Sequence, residues 1–192
     1  QIVHPQKWTE DIDYTNKKII VIGSGATAIT LVPSLAEKAA HVTMLQRSPT
    51  YIVSQSAIDK LGQLLYKIFP LKTAFKINRW RKIRLQQFSY YLTRRYPNFM
   101  KKALLKGVEK SLGPEYDINP NFTPKYAPWD ERLCLVPDGD LFVAIQKKKA
   151  SVVTDHIEAF TENGIQLKSG KLLDADLIVT ATGLKATIVS NF

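Results

Sequence analysis

A six-residue run, Gly23-Ser24-Gly25-Ala26-Thr27-Ala28, restricts this chain more than any other feature. It has the form G-x-G-x-x-A. Before it stands Lys18-Ile19-Ile20-Val21-Ile22, a β-branched run of the kind that fills buried parallel strands. After it, in residues 26–38, Ala28, Leu31, Val32 and Leu35 recur at helical spacing, with Pro33 the one residue that speaks against an unbroken helix. Residues 41–46 read as a second strand. A strand, a glycine loop, a helix and a strand in this order make a β-α-β unit. In such a unit the first glycine permits a tight turn. The second lets a backbone approach a pyrophosphate with no Cβ in the way, and the small third residue lets helix and strand pack closely. Exposed N–H groups and the helix dipole favour the anion. Outside this context the run would be only a glycine-rich structural turn; inside it, Gly23–Ala28 is expected to hold a dinucleotide.

Which dinucleotide depends on the end of the second strand. NAD-specific folds usually place Asp or Glu there for the ribose 2′-hydroxyl. This chain has Gln46-Arg47-Ser48 instead. No acid repels a 2′-phosphate, and Arg47 can form charge-assisted bonds to it, so NADP is expected with Arg47 and Ser48 among its contacts. The alternative for Arg47 is a solvated surface side chain.

The rest of the chain suits an α/β, Rossmann-like dinucleotide-binding domain with a parallel sheet, a small β-meander and a helical insertion. Between residues 59 and 112 the pattern becomes helical, and Pro70 and Pro97 divide it into three helices. Residues 1–58 and 113–192 then form the nucleotide-binding domain and 59–112 the insertion. Residues 113–130 carry five turn-favouring residues (Gly113, Pro114, Pro120, Pro124 and Pro128) and read as an irregular connection. Residues 151–154 read as a strand. Residues 156–161 and 165–168 flank Asn163-Gly164 as a hairpin, and 176–181 form a last apolar strand closed by Thr182-Gly183.

The net charge is +10, and 14 of the 27 Lys and Arg lie in residues 60–112 against one acid, Glu109. The basicity therefore belongs to the insertion. Lys76, Arg79, Arg81, Lys82 and Arg84 interleave there with Phe75, Ile77, Trp80 and Ile83. Such a surface can pack on its own protein or lie on an anionic membrane. Nucleic acid is not expected, because no helix-turn-helix, zinc-finger or RNA-binding signature accompanies the charge.

One cysteine, Cys134, excludes an internal disulfide, and with three His it leaves no expected metal site. Cys134 reads as a small buried hydrophobe. No stretch reaches the 18 apolar residues of a bilayer span. A cytoplasmic location, with membrane association open, is the expectation. The chain starts at Gln1 rather than Met, so it reads as a piece of a longer protein.

These residues resemble a family. His4-Pro5-Gln6-Lys7-Trp8 matches the H-x-x-x-W half of the Baeyer–Villiger monooxygenase fingerprint, F-x-G-x-x-x-H-x-x-x-W-P/D, although Thr9 stands where Pro or Asp is usual. The Gly23–Ala28 loop, Gln46-Arg47-Ser48-Pro49, the helical insertion, and Asp176-Leu177-Ile178-Val179-Thr180-Ala181-Thr182-Gly183 follow in the family's order. The chain is thus similar to the NADP-binding part of class B flavin-dependent monooxygenases, and its wording is nearest the ethionamide-activating group.

The resemblance implies NADPH and FAD as cofactors, the FAD held mainly by a domain outside this chain, and oxygen insertion into lipophilic ketones or oxygenation of sulfur centres. It implies that Arg132 faces the flavin and stabilises the negatively charged flavin peroxide; the alternative is a structural salt bridge to Asp130 or Asp138. The Lys that often precedes this Arg is Glu131 here. His4 and Trp8 are implied at the junction with the FAD domain, ordering it rather than moving protons. The isolated chain is expected to be inactive. Competing readings are a pyridine-nucleotide-dependent flavin reductase, which would need a redox cysteine pair, and a non-catalytic NADP-binding or membrane-contact module.

Overall fold

The structure is a computed structural model and describes residues 1–183. Its centre is a five-stranded sheet of β1 (Ile2–Val3), β2 (Lys18–Ile22), β3 (His41–Gln46), β6 (Ala150–Thr154) and β10 (Leu177–Thr180), in the order β1-β10-β2-β3-β6. Every pair in it is parallel. A parallel sheet must be covered on both faces, and here the covers differ.

Alternation along each strand decides what each face meets. Ile19, Val21, Val42, Met44, Leu177 and Val179 point to one side, where they pack in one core with Ala28, Ile29, Val32 and Leu35 of α1 (Ala26–Ala36) and with Leu141, Phe142 and Ile145 of α5 (Asp140–Gln146). Ile20, Leu45 and Ile178 point the other way, onto Ile165, Leu167 and Leu173. Those three belong to an antiparallel meander of β7 (Ile157–Thr161), β8 (Gly164–Leu167) and β9 (Leu172–Asp174). The result is three layers: helices, sheet and meander. Each fully buried aliphatic side chain stabilises this arrangement by roughly 1.5–3 kcal/mol. Pro33 does not end α1; the helix runs through it and buries it.

The basic segment forms α2 (Lys60–Ile68), α3 (Leu71–Arg95) and α4 (Pro97–Leu112), with Pro70 and Pro97 at the breaks as expected. Two strands not expected from the sequence bracket it. β4 (Tyr51–Gln55) and β5 (Leu133–Pro137) pair in parallel as a separate ribbon. The helices and residues 113–132 are therefore the crossover between two neighbouring strands. α5 is also unexpected; it starts behind Gly139, which sits at φ +72°, with Asp140 in its first turn.

Leu141 of α5 is fully buried in the main core. Leu141→Ala should destabilise the protein by about 2–5 kcal/mol. A clearly lowered midpoint of urea unfolding would show it, whereas an unchanged midpoint would mean that α5 does not pack there.

Candidate functional site

Because the central sheet is parallel throughout, the carboxyl ends of all its strands lie along one edge. β3 and β6 lie on one side of β2, and β10 and β1 on the other, so the topology switches direction beside β2. Ligands of open α/β sheets bind at that point, outside the strand ends. The expected residues fall there: Gly23 follows β2, Arg47 follows β3, Ala181-Thr182-Gly183 follow β10, and His4 follows β1.

The glycine loop is held by its neighbours. The Gly23 N–H donates to the Leu45 carbonyl at 2.8 Å. Gly23 has φ +133°, and a Cβ on it would stand 2.4 Å from the Ala181 carbonyl oxygen, so only glycine lets β2 and β10 close at the switch point. The Ser24 hydroxyl reaches the Ser48 carbonyl at 3.4 Å, joining the loop to the segment after β3. The loop turns into α1 at Gly25, whose side chain cannot cap the helix, so N–H groups at the start of α1 remain directed outward. Ala26 is exposed, Thr27 half-buried and Ala28 fully buried against the sheet. That burial is the close packing which the small residue at the end of the motif allows.

Arg132 comes to the same loop. Its Nη1 lies 3.2 Å from where a Cβ of Gly25 would be. Neither carboxylate considered for it from sequence is its partner. Asp130 pairs with Arg94 at 2.6 Å, and Asp138 accepts from the Ala57 N–H at 3.1 Å. Among the described residues, neither Arg132 nor Arg47 makes an ion pair, and both are exposed. The Arg132 guanidinium thus stands free of carboxylates beside a loop of outward-facing amides, and Arg47, on the segment after β3 that Ser24 meets at Ser48, is likewise unpaired, an arrangement that suits a phosphorylated anion.

Sequence reading missed what holds Arg132. The Tyr126 hydroxyl donates to the Arg132 carbonyl at 2.9 Å and lies 3.0 Å from the Thr50 hydroxyl. The Tyr51 hydroxyl donates to the Tyr126 carbonyl at 2.7 Å, and the two rings meet edge to face. Burial, then the neighbouring Tyr126 and Asp130, push the Tyr51 phenol up to about 12, so it stays a donor. The sequence signal was weak, since Tyr126 is one of two tyrosines in a proline-rich connection. Cys134, next along β5, is buried behind the loop with its Sγ 3.9 Å from the Ser24 carbonyl. Burial pushes its thiol up, against a smaller opposing effect of Arg132, which leaves it a packing residue.

The two fingerprint residues part company. His4 Nδ1 accepts from the Gln6 N–H at 3.2 Å, so Nε2 carries the proton and donates to the Gly183 carbonyl at 3.0 Å. His4 thereby ties the start of the chain to the segment leaving β10. Trp8 turns away to pack on the main core and edge to face on Tyr14. Gln46 is not at the site either. Its amide is buried and donates to the Asn121 carbonyl at 2.7 Å and to the Thr154 hydroxyl at 2.8 Å.

On the other face of the β4–β5 ribbon, Leu133 and Leu135 line an open cleft of about 930 Å³ with Ile58, Leu85, Leu104 and Trp129. Among the described residues no group of His, Cys, Asp and Glu is placed to hold a metal, and no helix is long and apolar enough to cross a membrane.

No family model matches the chain. Curated proteins do. It is 54% identical over 192 residues to the probable FAD-binding monooxygenase AlmA of Acinetobacter sp., covering 100% of this chain and 38% of that protein. It is 54% identical over 185 residues to the FAD-containing monooxygenase EthA of Mycolicibacterium smegmatis, with 96% and 38% covered. It is also 54% identical over 193 residues to the putative FAD-containing monooxygenase MymA of Mycobacterium tuberculosis, with 98% and 39% covered.

Solved structures share the fold at low identity. The oxidized steroid monooxygenase bound to NADP matches with TM-score 0.68 at 20% identity, over 96% of this chain and 42% of that one. OTEMO in complex with FAD and NADP matches with TM-score 0.68 at 18% identity, over 97% and 42%. The chain spans less than two-fifths of the length of the first two of these relatives, and over that segment it is similar to FAD-containing monooxygenases.

Proposed function

We propose that this chain is the NADPH-binding part of a Baeyer–Villiger-type monooxygenase. In the full-length protein it would use NADPH, FAD and O₂ to insert oxygen into lipophilic ketones or to oxygenate sulfur centres. The observation that carries the reading is the Arg132 guanidinium at the glycine loop of the switch point, with Arg47 on the neighbouring strand end and neither arginine paired with a carboxylate. NADP fits these residues. The bare Gly25 lets the Arg132 guanidinium come against the start of α1, where it can meet a pyrophosphate held by the loop amides, and Arg47 suits the 2′-phosphate. Residues 59–112 are then an insertion into a domain built from 1–58 and 113–192, and the full-length protein's FAD-binding part is its partner.

The chemistry of hydride acceptance and oxygen activation is what FAD supplies when bound. This chain binds and orients. The loop amides and Arg47 hold NADPH. Arg132, whose backbone Tyr126 ties down through the carbonyl, would present positive charge where negative charge develops. The Nε2–H of His4 holds the segment after β10 in register with the start of the chain. Thr182 and Gly183 on that segment would then face the cofactors.

The full-length protein should oxidise NADPH in the presence of a ketone or sulfide panel with one equivalent of oxygenated product. Absence of NADPH consumption would overturn the reading. Arg47→Ala should raise KM for NADPH roughly 10–100-fold, leave NADH kinetics unchanged, and so erase the preference between the two nucleotides. An equal loss with both would place Arg47 elsewhere. Arg132→Ala should lower kcat by about 10²–10³, and Arg132→Lys should recover part of that. If only KM moved, Arg132 would be a binding group alone.

A further inference from the structure

The first two basic helices form a hairpin. Asp59 caps α2 by accepting from the Gly62 N–H at 3.0 Å, and it also pairs with Arg81 and Lys82 of α3. A Cβ on Gly62 would meet the Asn78 amide at 2.9 Å. Residues 59 and 62 of α2 thus oppose 81 and 78 of α3, so the helices run antiparallel and close at Phe69-Pro70. The hydrogen bond from Gly62, assisted by Lys82 and Arg81, holds the Asp59 carboxyl below its ordinary range and keeps this base charged. Beyond the base, α2 rises about 14 Å to the turn.

The turn is built against the usual rule for a solvated loop. Leu64, Ile68, Leu71 and Phe75 are 50%, 62%, 76% and 53% exposed, and Phe69 sits between them, also exposed. Along α2, Leu61, Leu64 and Ile68 follow one another at helical spacing and form an uncovered apolar stripe. Cations flank this turn: Lys67, Lys72 and Lys76, with Lys60 back at the base. No Asp or Glu occurs between residues 60 and 108. On the flank of α3, Arg84 lies 5.7 Å over the exposed Trp80 ring. A polar solvent penalises such a surface, and an acidic protein face would satisfy its charges but not its aliphatic tip. An anionic bilayer satisfies both, taking apolar side chains about 5–10 Å into the interface while Lys and Arg meet headgroups.

We propose that the α2–α3 hairpin is a monotopic anchor that dips Ile68, Phe69, Leu71 and Phe75 into an anionic membrane surface, with Lys67, Lys72 and Lys76 on the headgroups. This does not depend on the nucleotide reading, since none of these residues belongs to the glycine loop or the arginines beside it.

The test is sedimentation of the full-length protein with vesicles of phosphatidylcholine alone and of phosphatidylcholine with phosphatidylserine. Binding should require phosphatidylserine and weaken in high salt. Ile68→Glu/Leu71→Glu should reduce it about tenfold or more, and Lys67→Gln/Lys72→Gln/Lys76→Gln about a hundredfold. Both variants should keep FAD content, NADPH turnover and sedimentation coefficient. No vesicle binding by the parent protein would overturn the proposal. So would binding that ignores the Glu pair, which would mark a charge-only surface of the kind nucleic acid takes. Loss of FAD or a changed oligomeric state in the Glu variant would also overturn it, because the tip would then be covered by the rest of the protein or by a second copy.

Discussion

The contact between Gly23 and the Ala181 carbonyl governs this molecule. β2 and β10 are neighbours that the chain reaches at opposite ends of its length, and they meet where the strand order reverses. A carbonyl oxygen sits 2.4 Å from the place a side chain would take, so the loop can descend into α1 only because residue 23 has none. From that closure follow the outward aim of the loop amides, the approach of Ser24 to Ser48, and the proximity of the segment after β10 to the glycine loop.

Charge completes what the backbone begins. Most acids near the strand ends are already engaged: Asp155 by the Ser169 and His156 N–H groups, Asp130 by Arg94, and Asp138 by the backbone of Ala57. Arg47 and Arg132 are left without such neighbours. The edge is therefore electropositive by arrangement of a few groups, separately from the large positive charge of the helical segment.

Much of this was legible from residues alone, where one physical signal dominated. Ile19–Ile22, Val42–Leu45 and Leu177–Val179 are buried on both faces and so carry little polar interruption, which makes their strands plain. The glycine loop and the proline breaks at 70 and 97 are equally local. β4 and β5 were not legible: Val53-Ser54-Gln55 and the alternately exposed Leu135 and Pro137 belong to a ribbon whose outer face opens into a cleft. Seven residues of α5 are too few to show a period. The clasp of His4 on Gly183 and the support of Arg132 by Tyr126 span distances in sequence that no local pattern records. Arg132 was singled out by resemblance; its nearness to Gly25 comes only from the fold.

The β4–β5 ribbon also implies an order of assembly. Its partners are parallel neighbours, yet residues 56–132, with all three basic helices, must be threaded before Leu133 can align beside Tyr51. Loop closure of that length is entropically expensive and slow compared with local helix formation. Arg132 is the residue immediately before the ribbon zips. A chain whose helical segment is still unfolded can own a finished glycine loop and still lack its second cation. The cation beside the glycine loop would then arrive last, only in molecules whose long excursion has come home.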